Sequence, residues 1–438
     1  MLNDKEFQKI SDEAMEKARY EAIQPISFDE MESIFNKWLL IEDKGVLRLL
    51  SAVVIANKLA IDPVWVFLVA PSGGGKTELV QALKKLPNIF MLSSLTPQTL
   101  ISGMKGDGKS LLFRITGKIL VFKDFTTILS SHAEPQNEIL GQLREIYDGH
   151  FRKEFGTGES QTWTGKIGFI AGVTSVIDKH TNVHKSLGER FLQYRIKQPD
   201  RKAVMKRIRE NIFNQKQMRE ELTDAMTAYI KGVEIPDDLT TWKISDEVQE
   251  KIMDIADLAA RIRSAVFRDI YSRDKEIIFV PEIEMSTRIY TQLSTVAMGL
   301  LVINKGTFNK EDYEIVYKMA LDSIHYLKMK VINALKQYKG WVKTSTLALD
   351  IDYSTHTTRG YLEELTALEL VQRTKPRENL DLWRIRPDMM EMWQKSCWDK
   401  MNDVGIKEDE EAKALTEVSE EVLLLEAEES GSETLPLA

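Results

Sequence analysis

The sequence predicts an α/β protein whose core is a five-stranded parallel sheet, followed by helical segments and a smaller C-terminal module. Short apolar runs alternate with segments that carry apolar residues at helical spacing, which is typical of strands buried on both faces of a parallel sheet. A glycine-rich loop joins the first run to a helical segment. The five predicted strands are 64–70, 88–93, 118–122, 166–173 and 191–196.

The composition of the 438-residue chain fits several folded domains. Apolar residues make up 43% and charged residues 29%, which excludes the disordered and collagen-like classes. One cysteine, Cys397, and six histidines cannot build a disulfide framework or a structural zinc cluster, so we expect a cytoplasmic protein. The charged first segment and the lack of an 18-residue apolar run predict neither a signal peptide nor a membrane span.

The net charge of −8 is concentrated at the C-terminus. Residues 405–438 carry 11 acidic and two basic side chains, so the rest of the chain is close to neutral. The overall charge therefore argues neither for nor against nucleic-acid binding. This acidic segment contains one apolar patch, VLLLEA, which could fold on a protein partner.

The pattern along the chain divides it into five regions. Three predicted helices followed by two short strands, LVQRT and LWRI, are the order of a winged helix-turn-helix. The polar turn KPRENLD joins these two strands. The regions are an N-terminal helical arm (1–27), the α/β core (28–200), a helical lid (201–322), the winged-helix domain (323–390) and an acidic, mostly disordered tail (391–438).

The glycine-rich loop has the pattern of a phosphate-binding loop. The sequence APSGGGKT fits GxxxxGK followed by Ser or Thr at every place except the first, where Ala70 replaces Gly. Its glycines let backbone N–H groups turn toward an anion, Lys76 is suited to the β- and γ-phosphates, and the Thr77 hydroxyl to Mg²⁺. A glycine-rich turn without a ligand is the alternative. The predicted ATP-binding set is Pro71, Ser72, Gly73, Gly74, Gly75, Lys76, Thr77 and Glu78.

An acidic residue at the end of a second predicted strand completes the expected magnesium site. Asp124 follows ILVFK, and we predict that it binds Mg²⁺ together with Thr77. The alternative is a helix-capping role, because Thr126 and Thr127 follow it. The next residue is Phe125 rather than the Glu that many ATPases of this type use to activate water. The candidate bases on the next helix are Glu134, Glu138 and Glu145. The alternative for each is a solvated charge on the helix face.

Over about 28–322 these residues resemble the AAA+ ATPases. Lys76, Asp124 and Thr174 occur in the order which that family requires. The resemblance implies that Thr174 is the sensor 1 residue, which touches the γ-phosphate or the attacking water. The alternative is an ordinary hydrogen-bonded threonine at a strand end.

The same resemblance assigns two arginines. Arg190, in the segment LGERF, corresponds to the arginine finger that acts on the ATP of a neighbouring subunit, and Arg288 to the sensor 2 arginine. The alternative for Arg190 is a salt bridge with Glu189 or another carboxylate.

The pattern around and after Arg288, followed by a winged helix, is similar to that of the minichromosome-maintenance helicases. The resemblance implies ATP and Mg²⁺ as cofactors, DNA as a partner, and a homo-oligomer in the form of a hexameric ring. One departure is clear: the first 50 residues contain no Cys and do not match the zinc-bearing, DNA-encircling domain of that family.

Two segments have residues suited to DNA. The predicted hairpin 150–166 carries Arg152 and Lys153 beside Phe151, Phe155 and Trp163, a combination of charge and stacking surface that suits single strands. A structural hairpin whose aromatic side chains pack on the sheet is an equal alternative.

The predicted winged helix has a second set of candidate contacts. Thr357, Thr358 and Arg359 open its third helix, and three basic residues lie on the wing, where they could bind phosphates. Glutamates share this region and keep its net charge low, so a protein-interaction role is the alternative. The predicted DNA-binding residues here are Thr357, Arg359, Arg373, Lys375 and Arg377.

The sequence thus leads to a main hypothesis and two alternatives. The first is an oligomeric, ATP-hydrolysing motor that acts on DNA, such as a helicase or remodeller in replication or repair of a phage or mobile element. The second is an ATP-switched DNA-binding initiator or regulator with slow hydrolysis, which Phe125 favours. The third is an ATPase that remodels a protein partner bound through the acidic tail.

Overall fold

The computed structural model confirms the α/β class and the five-stranded, all-parallel sheet. It describes residues 14, 15, 17–101, 110–156, 159–179, 190–269, 271, 272, 275–378, 380–399 and 405–415. The strands are β1 (Trp65–Val69), β2 (Ile89–Leu92), β3 (Ile119–Phe122), β4 (His150–Glu154), β5 (Ser160–Thr164), β6 (Gly168–Val173), β7 (Leu192–Arg195), β8 (Phe267–Arg268), β9 (Ile277–Phe279), β10 (Val342–Lys343), β11 (Val371–Arg377) and β12 (Leu380–Ile385).

Helices form most of the remaining described chain. They are α1 (Phe28–Trp38), α2 (Gly45–Ala56), α3 (Lys76–Gln81), α4 (Pro97–Leu100), α5 (Leu111–Arg114), α6 (Thr126–Leu129), α7 (Ala133–Tyr147), α8 (Arg201–Asn211), α9 (Gln215–Lys231), α10 (Asp246–Arg263), α11 (Thr287–Ile303), α12 (Lys310–Asp322), α13 (Tyr326–Leu335), α14 (Thr344–Ile351), α15 (Thr355–Ala367) and α16 (Pro387–Ser396). None of the helices in the described residues is long and apolar enough to cross a membrane.

The central sheet has the order β2-β3-β6-β1-β7. Strand β1 lies between β6 and β7, with Trp65 opposite Phe169 and Val66 opposite Leu192. All five side chains of β1 are buried, as expected for a central strand covered on both faces. Because the five strands are parallel, their carboxyl ends meet at one edge of the sheet.

A cluster of aromatic side chains fills the core on one face of the sheet. Phe67 of β1 stacks on Phe191 with ring centroids 3.9 Å apart. Phe125, which follows β3, packs against Phe122 and Phe169 with centroids 5.3 and 5.5 Å away. The residue directly after Asp124 is therefore part of the hydrophobic core.

Contacts divide the chain into two compact units. The first comprises Met1–Val248 with Arg288–Ser323, and the second Gln249–Thr287 with Ile324–Ala438. Residues 201–322, predicted as one lid, are thus shared between them. The end of the first unit lies within one residue of the predicted boundary at 322, and the division into five regions stays a prediction.

The start of helix α1 is determined by a local hydrogen-bond motif. The Ser27 hydroxyl accepts the Glu30 N–H at 3.2 Å, and the Glu30 carboxylate accepts the Ser27 N–H at 2.8 Å, which is a capping box at the start of α1. Of the predicted N-terminal arm, residues 17–22 are helical.

The second unit contains the three helices α13, α14 and α15 and a three-stranded antiparallel sheet with the order β10-β12-β11. The predicted strands are present but extend further into the predicted turn, to Arg377 on one side and from Leu380 on the other. The predicted start of the tail at residue 391 falls inside α16. Part of the predicted tail also packs on this unit, because the Asp409 carboxylate accepts the Lys343 N–H and the Thr346 hydroxyl.

One close helix contact in the first unit gives a test of the fold. A Cβ placed on Gly299 of α11 would lie 2.3 Å from the Ala52 carbonyl oxygen of α2. We predict that Gly299→Ala forces these helices apart and lowers the free energy of unfolding by about 1–3 kcal/mol, measured by urea denaturation. Gly141→Ala on α7 is the control, because a Cβ there meets nothing within 4 Å. Equal stability of both variants would contradict the close packing of α2 and α11.

Candidate functional site

The glycine-rich loop lies at the carboxyl edge of the sheet, directly after β1. Gly73 and Gly75 have φ values of +77° and +78°, a left-handed conformation that favours glycine. Gly74 is required for a different reason: a Cβ there would lie 2.7 Å from Oε1 of Gln198 and 3.0 Å from the Pro71 carbonyl oxygen. The three glycines therefore hold a tight turn whose backbone stays accessible to a ligand.

Lys76 is the first residue of α3, and its side chain is only 5% exposed. Its ammonium donates to the carbonyl oxygens of Ala70 at 3.3 Å and Pro71 at 3.2 Å. Its aliphatic part lies over Gly172 of β6, where a Cβ would be 3.3 Å from Cδ of Lys76. Burial lowers the pKa of Lys76, and the negative charge of Asp124 acts in the opposite direction. Lys76 and Asp124 are thus electrostatic neighbours at this edge.

A polar chain joins the ends of β3 and β6. The Asp124 carboxylate accepts the Thr126 N–H at 2.9 Å, so the capping contact that the sequence left as an alternative is present. The Thr126 hydroxyl oxygen in turn accepts the Thr174 N–H at 3.0 Å, and the two hydroxyls lie 3.4 Å apart. Asp124 and Thr174 are therefore held beside one another, and a capping contact to one carboxylate oxygen is compatible with a metal contact through the other.

Two further members of the predicted ATP-binding set differ in their surroundings. Thr77 is exposed at the loop, whereas Glu78 is engaged by Arg219 of α9 in a bidentate pair with a shortest distance of 2.9 Å. Within the described residues no three His, Cys, Asp or Glu side chains are grouped to hold a metal ion. A Mg²⁺ ion at Thr77 and Asp124 would therefore take its remaining oxygen ligands from phosphate and water.

The position after Asp124 cannot supply a catalytic base. Phe125 is fully buried in the aromatic cluster, so the chain directs this side chain into the core and not toward the loop. The candidate bases lie on α7, which starts near the carboxyl edge and ends at Tyr147 beside Trp65. Glu134 is in the first turn of α7, while Glu145 is about 16 Å further along the helix. This favours Glu134 over Glu145.

The sequence analysis missed an apolar pocket beside the loop. Two coil segments, 39–42 and 196–199, line it together with Gly74 and Gly75. Asp43 joins these segments, because its carboxylate accepts the Tyr194 hydroxyl at 2.6 Å and the Lys197 N–H at 2.9 Å. The segments are far apart in the chain, and only the run LLI ahead of Asp43 hinted that a part of this coil is apolar.

Arg190 and Arg288 lie at the opposite edge of the sheet. The Arg190 guanidinium is 4% exposed and pairs with the Asp148 carboxylate at 2.6 Å. Gln292, one turn after Arg288 on α11, donates to the Arg190 carbonyl oxygen at 2.7 Å and to the Tyr147 hydroxyl at 3.1 Å. Burial raises the pKa of Tyr147, while the positive charges of Arg288 and Arg190 lower it.

This second cluster, formed by Tyr147, Asp148, Arg190, Arg288 and Gln292, is here called the amino-edge cluster. It is at the amino-terminal edge because Tyr147 packs on Trp65, the first residue of β1, with ring centroids 5.2 Å apart. A five-residue strand spans about 16 Å, so β1 separates the cluster from the glycine-rich loop of the same chain. The ion pair with Asp148 matches the salt-bridge alternative for Arg190, and its action on a neighbouring subunit stays a prediction.

The hairpin of β4 and β5 does not offer its two best aromatic side chains for base stacking. Phe151 and Trp163 are 6% and 2% exposed, and the Trp163 indole N–H donates to the Thr116 hydroxyl at 2.9 Å. The prediction that bases stack on these two rings is therefore wrong, because both rings pack in the core. Contact of Arg152 and Lys153 with DNA stays a prediction. Arg152 pairs with Glu154 in the same strand, and Lys153 with Glu138 of α7.

Two of the predicted DNA contacts in the second unit are paired with a buried carboxylate. Arg359 of α15 and Arg373 of β11 both form ion pairs with Asp381, which is 3% exposed. Lys375 and Arg377, by contrast, are exposed on β11. Ser354 caps α15, because its hydroxyl accepts the Thr357 N–H at 3.1 Å. Thr358, in the first turn of the helix, is buried and its hydroxyl donates to the Ser354 carbonyl oxygen.

The buried position of Phe125 gives a test of the site. We predict that Phe125→Glu does not create an activating glutamate but lowers the free energy of unfolding by at least about 3 kcal/mol, because it places an unpaired charge in the core. The measurement is urea denaturation together with ATP turnover. Tyr271→Glu is the matched control, since Tyr271 is 92% exposed and the substitution should change stability by no more than about 0.5 kcal/mol. A stable Phe125→Glu protein with faster turnover would contradict this assignment.

Comparison with known proteins assigns no family to this chain. No protein-family model and no curated protein matches it. The glycine-rich loop, Asp124 and Thr174 share the carboxyl edge of the sheet, and Arg190 and Arg288 share the amino edge.

Proposed function

We propose that this protein binds Mg²⁺-ATP at the carboxyl edge of its sheet and hydrolyses it. One observation carries the proposal: Lys76, Asp124 and Thr174 follow three different strands and are nevertheless assembled at one edge, beside a loop of three glycines. A ligand-free glycine turn needs neither a buried lysine nor an acidic neighbour. The loop geometry and the charges fit a nucleotide triphosphate.

The residues have distinct proposed roles. When bound, the nucleotide supplies the phosphoryl group that water attacks, and the metal offsets its negative charge. Lys76 holds the phosphates by exchanging its two backbone carbonyl partners for anionic oxygens. Asp124 and Thr77 hold the metal, and Thr174 orients the γ-phosphate or the water from its position beside Thr126. Glu134 is the proposed base, because it is the α7 glutamate nearest the start of that helix.

The apolar pocket beside the loop supports binding of the nucleobase of ATP. In these segments the apolar side chains next to Gly74 are Leu39, Leu40, Ile41, Ile196 and Pro199, and the polar ones are Glu42, Lys197 and Gln198. Apolar walls with a few fixed polar groups are typical of small-molecule sites. We therefore assign the nucleobase to this pocket.

The amino-edge cluster supports an oligomer. Arg190 and Arg288 are about one strand length from the phosphate loop of their own chain, so they can act on ATP only in a neighbouring copy. A homo-oligomeric ring, hexameric as the family resemblance implies, brings such a cluster to the next subunit. Arg190 must then leave Asp148 when it meets the phosphates.

DNA is the proposed substrate of the motor, in the manner of the minichromosome-maintenance helicases. The helix order α13, α14 and α15 followed by the β10-β12-β11 sheet supports a winged helix in the second unit. Its exposed cations Lys375 and Arg377 are the proposed phosphate contacts, since Arg359 and Arg373 are engaged by Asp381. Arg152, which is exposed on the β4–β5 hairpin, is a further proposed contact to DNA phosphates.

A second function is favoured by the buried Phe125. Without a glutamate next to Asp124, hydrolysis depends on a base placed by α7. This favours an ATP-switched, DNA-binding initiator or regulator in which nucleotide binding changes the assembly and hydrolysis is slow.

Steady-state ATP hydrolysis by the full-length chain, with no DNA, with single-stranded DNA and with forked DNA, tests both proposals. We predict that Lys76→Ala reduces turnover by about 100-fold or more, since it removes the charge on the phosphates. Asp124→Asn should keep ATP binding but lose turnover, because the amide can still accept the Thr126 N–H and lacks the charge for Mg²⁺. Lys84→Ala, a change at an exposed lysine close to α3, is the matched control and should leave turnover unchanged.

The three DNA conditions separate the two functions. Stimulation by forked DNA supports the motor, whereas slow turnover that ignores DNA, with ATP-dependent assembly intact, supports the switch. Turnover in Lys76→Ala equal to that of the unmodified protein would overturn the ATPase proposal itself.

A further inference from the structure

Helix α8 presents an unusual surface for a helix of the first unit. None of its side chains is fully buried. Met205, Ile208 and Ile212 are 60%, 54% and 51% exposed and follow one another at the i, i+3, i+7 spacing of a single helix face. Phe213, the residue after Ile212, is 97% exposed. We call these four residues the α8 stripe.

Positive charge flanks the α8 stripe. Helix α8 contains five basic side chains and one acidic side chain. Lys202, Lys206 and Arg209 are exposed. An exposed aliphatic stripe beside cations suits a ligand that is both apolar and acidic, whereas a nucleic acid would use the cations but not the aliphatic side chains.

Polar contacts fix α8 with its stripe outward. The Arg207 guanidinium donates to the Asn36 carbonyl oxygen at 2.8 Å, and the Asn211 amide donates to the Trp38 carbonyl oxygen at 3.1 Å. These contacts attach α8 to the end of α1, immediately before the segment 39–42 that lines the apolar pocket. Pro199 of that pocket is only two residues ahead of α8.

The chain itself contains a segment with the complementary chemistry. Residues 416–438 carry seven glutamates and no basic residue. Val418, Val422 and Leu425 are spaced i, i+4, i+7, which would put them on one face of a helix, and they belong to the segment VSEEVLLLEAEE. The apolar positions match the α8 stripe, and the glutamates match its flanking cations.

We propose that the acidic segment 416–438 of a second copy of this chain docks on the α8 stripe, with its valines and leucines on the stripe and its glutamates against the cations. A surface and its complement at two different places of one chain produce a head-to-tail contact between copies, which forms a ring when the rotation closes. The proposed mode of docking is that of an amphipathic helix on an apolar surface. This docking goes beyond ATP binding and does not use the phosphate loop.

Site-specific photo-crosslinking of the full-length protein tests the docking. Phe213 is replaced by benzoylphenylalanine, a small change at a fully exposed aromatic residue, and the protein is mixed with an equal amount of isotopically heavy full-length chain. We expect crosslinks from position 213 to heavy peptides within 416–438. Substitution of Val418, Val422 and Leu425 by Ser in the heavy chain should reduce them by about tenfold, and 1 M salt should weaken them because it screens the charges.

Two controls accompany this experiment. Benzoylphenylalanine at Leu349, an 82% exposed position on α14, should give no crosslinks to 416–438. The Lys76→Ala protein should keep the crosslinks from position 213, so that failure of docking and failure of ATP binding are distinguishable. Crosslinks only within one copy, crosslinks to other peptides, or crosslinks that survive the triple Ser substitution would each overturn the proposal. Crosslinking of position 213 to added single-stranded DNA in place of the heavy segment would assign the surface to nucleic acid and overturn it as well.

Sedimentation velocity gives an independent readout. Ile208→Glu places a negative charge in the α8 stripe without disturbing a buried residue, so it should shift the protein to smaller species while the circular dichroism spectrum stays unchanged. Leu349→Glu is the matched exposed-aliphatic control and should leave the distribution unchanged. The same size distribution for Ile208→Glu and the unmodified protein would contradict docking between copies.

Discussion

The burial of parallel strands under a cluster of aromatic rings is the constraint on which the rest of this structure depends. Phe67, Phe122, Phe125, Phe169 and Phe191 pack together on one face of the sheet and tie β1, β3, β6 and β7 to one another. Because the strands are held in place, the positions of their carboxyl ends are also determined. The glycine-rich loop, Asp124 and Thr174 follow these ends. The chemistry proposed for this edge is therefore a consequence of packing.

The same packing involves the residue that directly follows Asp124. A strand end that places Asp124 at the edge turns the next side chain into the core, and here that side chain is phenylalanine. The proposed base therefore lies on α7, a separate helix.

The local features of this site could be predicted from the sequence, and the long-range ones could not. Strands β1, β3 and β6 and the glycine loop are visible because apolar runs and glycine spacing are local patterns. The apolar pocket joins coil segments at 39–42 and 196–199, and no local pattern connects them. The pairing of Arg190 with Asp148 also depends on tertiary structure.

The DNA contacts predicted from charge and aromatic content were the least reliable, because they also depend on tertiary structure. Phe151 and Trp163 are residue types that stack on bases, but on this hairpin both side chains are buried in the core. Arg359 and Arg373 carry the positive charge that DNA phosphates require, but both form ion pairs with Asp381. Composition indicates what side chains could bind, whereas the fold decides which of them are already paired.

The central claim is that Lys76 exchanges backbone carbonyls for phosphate oxygens at the carboxyl edge. An experimental structure of the full-length protein with Mg²⁺ and a non-hydrolysable ATP analogue tests it most directly. The account predicts that the phosphates lie within the glycine-rich loop and that the Lys76 ammonium contacts them instead of the Ala70 and Pro71 carbonyl oxygens. It also predicts that the nucleobase lies between segments 39–42 and 196–199. A nucleotide bound elsewhere, or a Lys76 ammonium that keeps both carbonyl contacts beside a bound analogue, would contradict it.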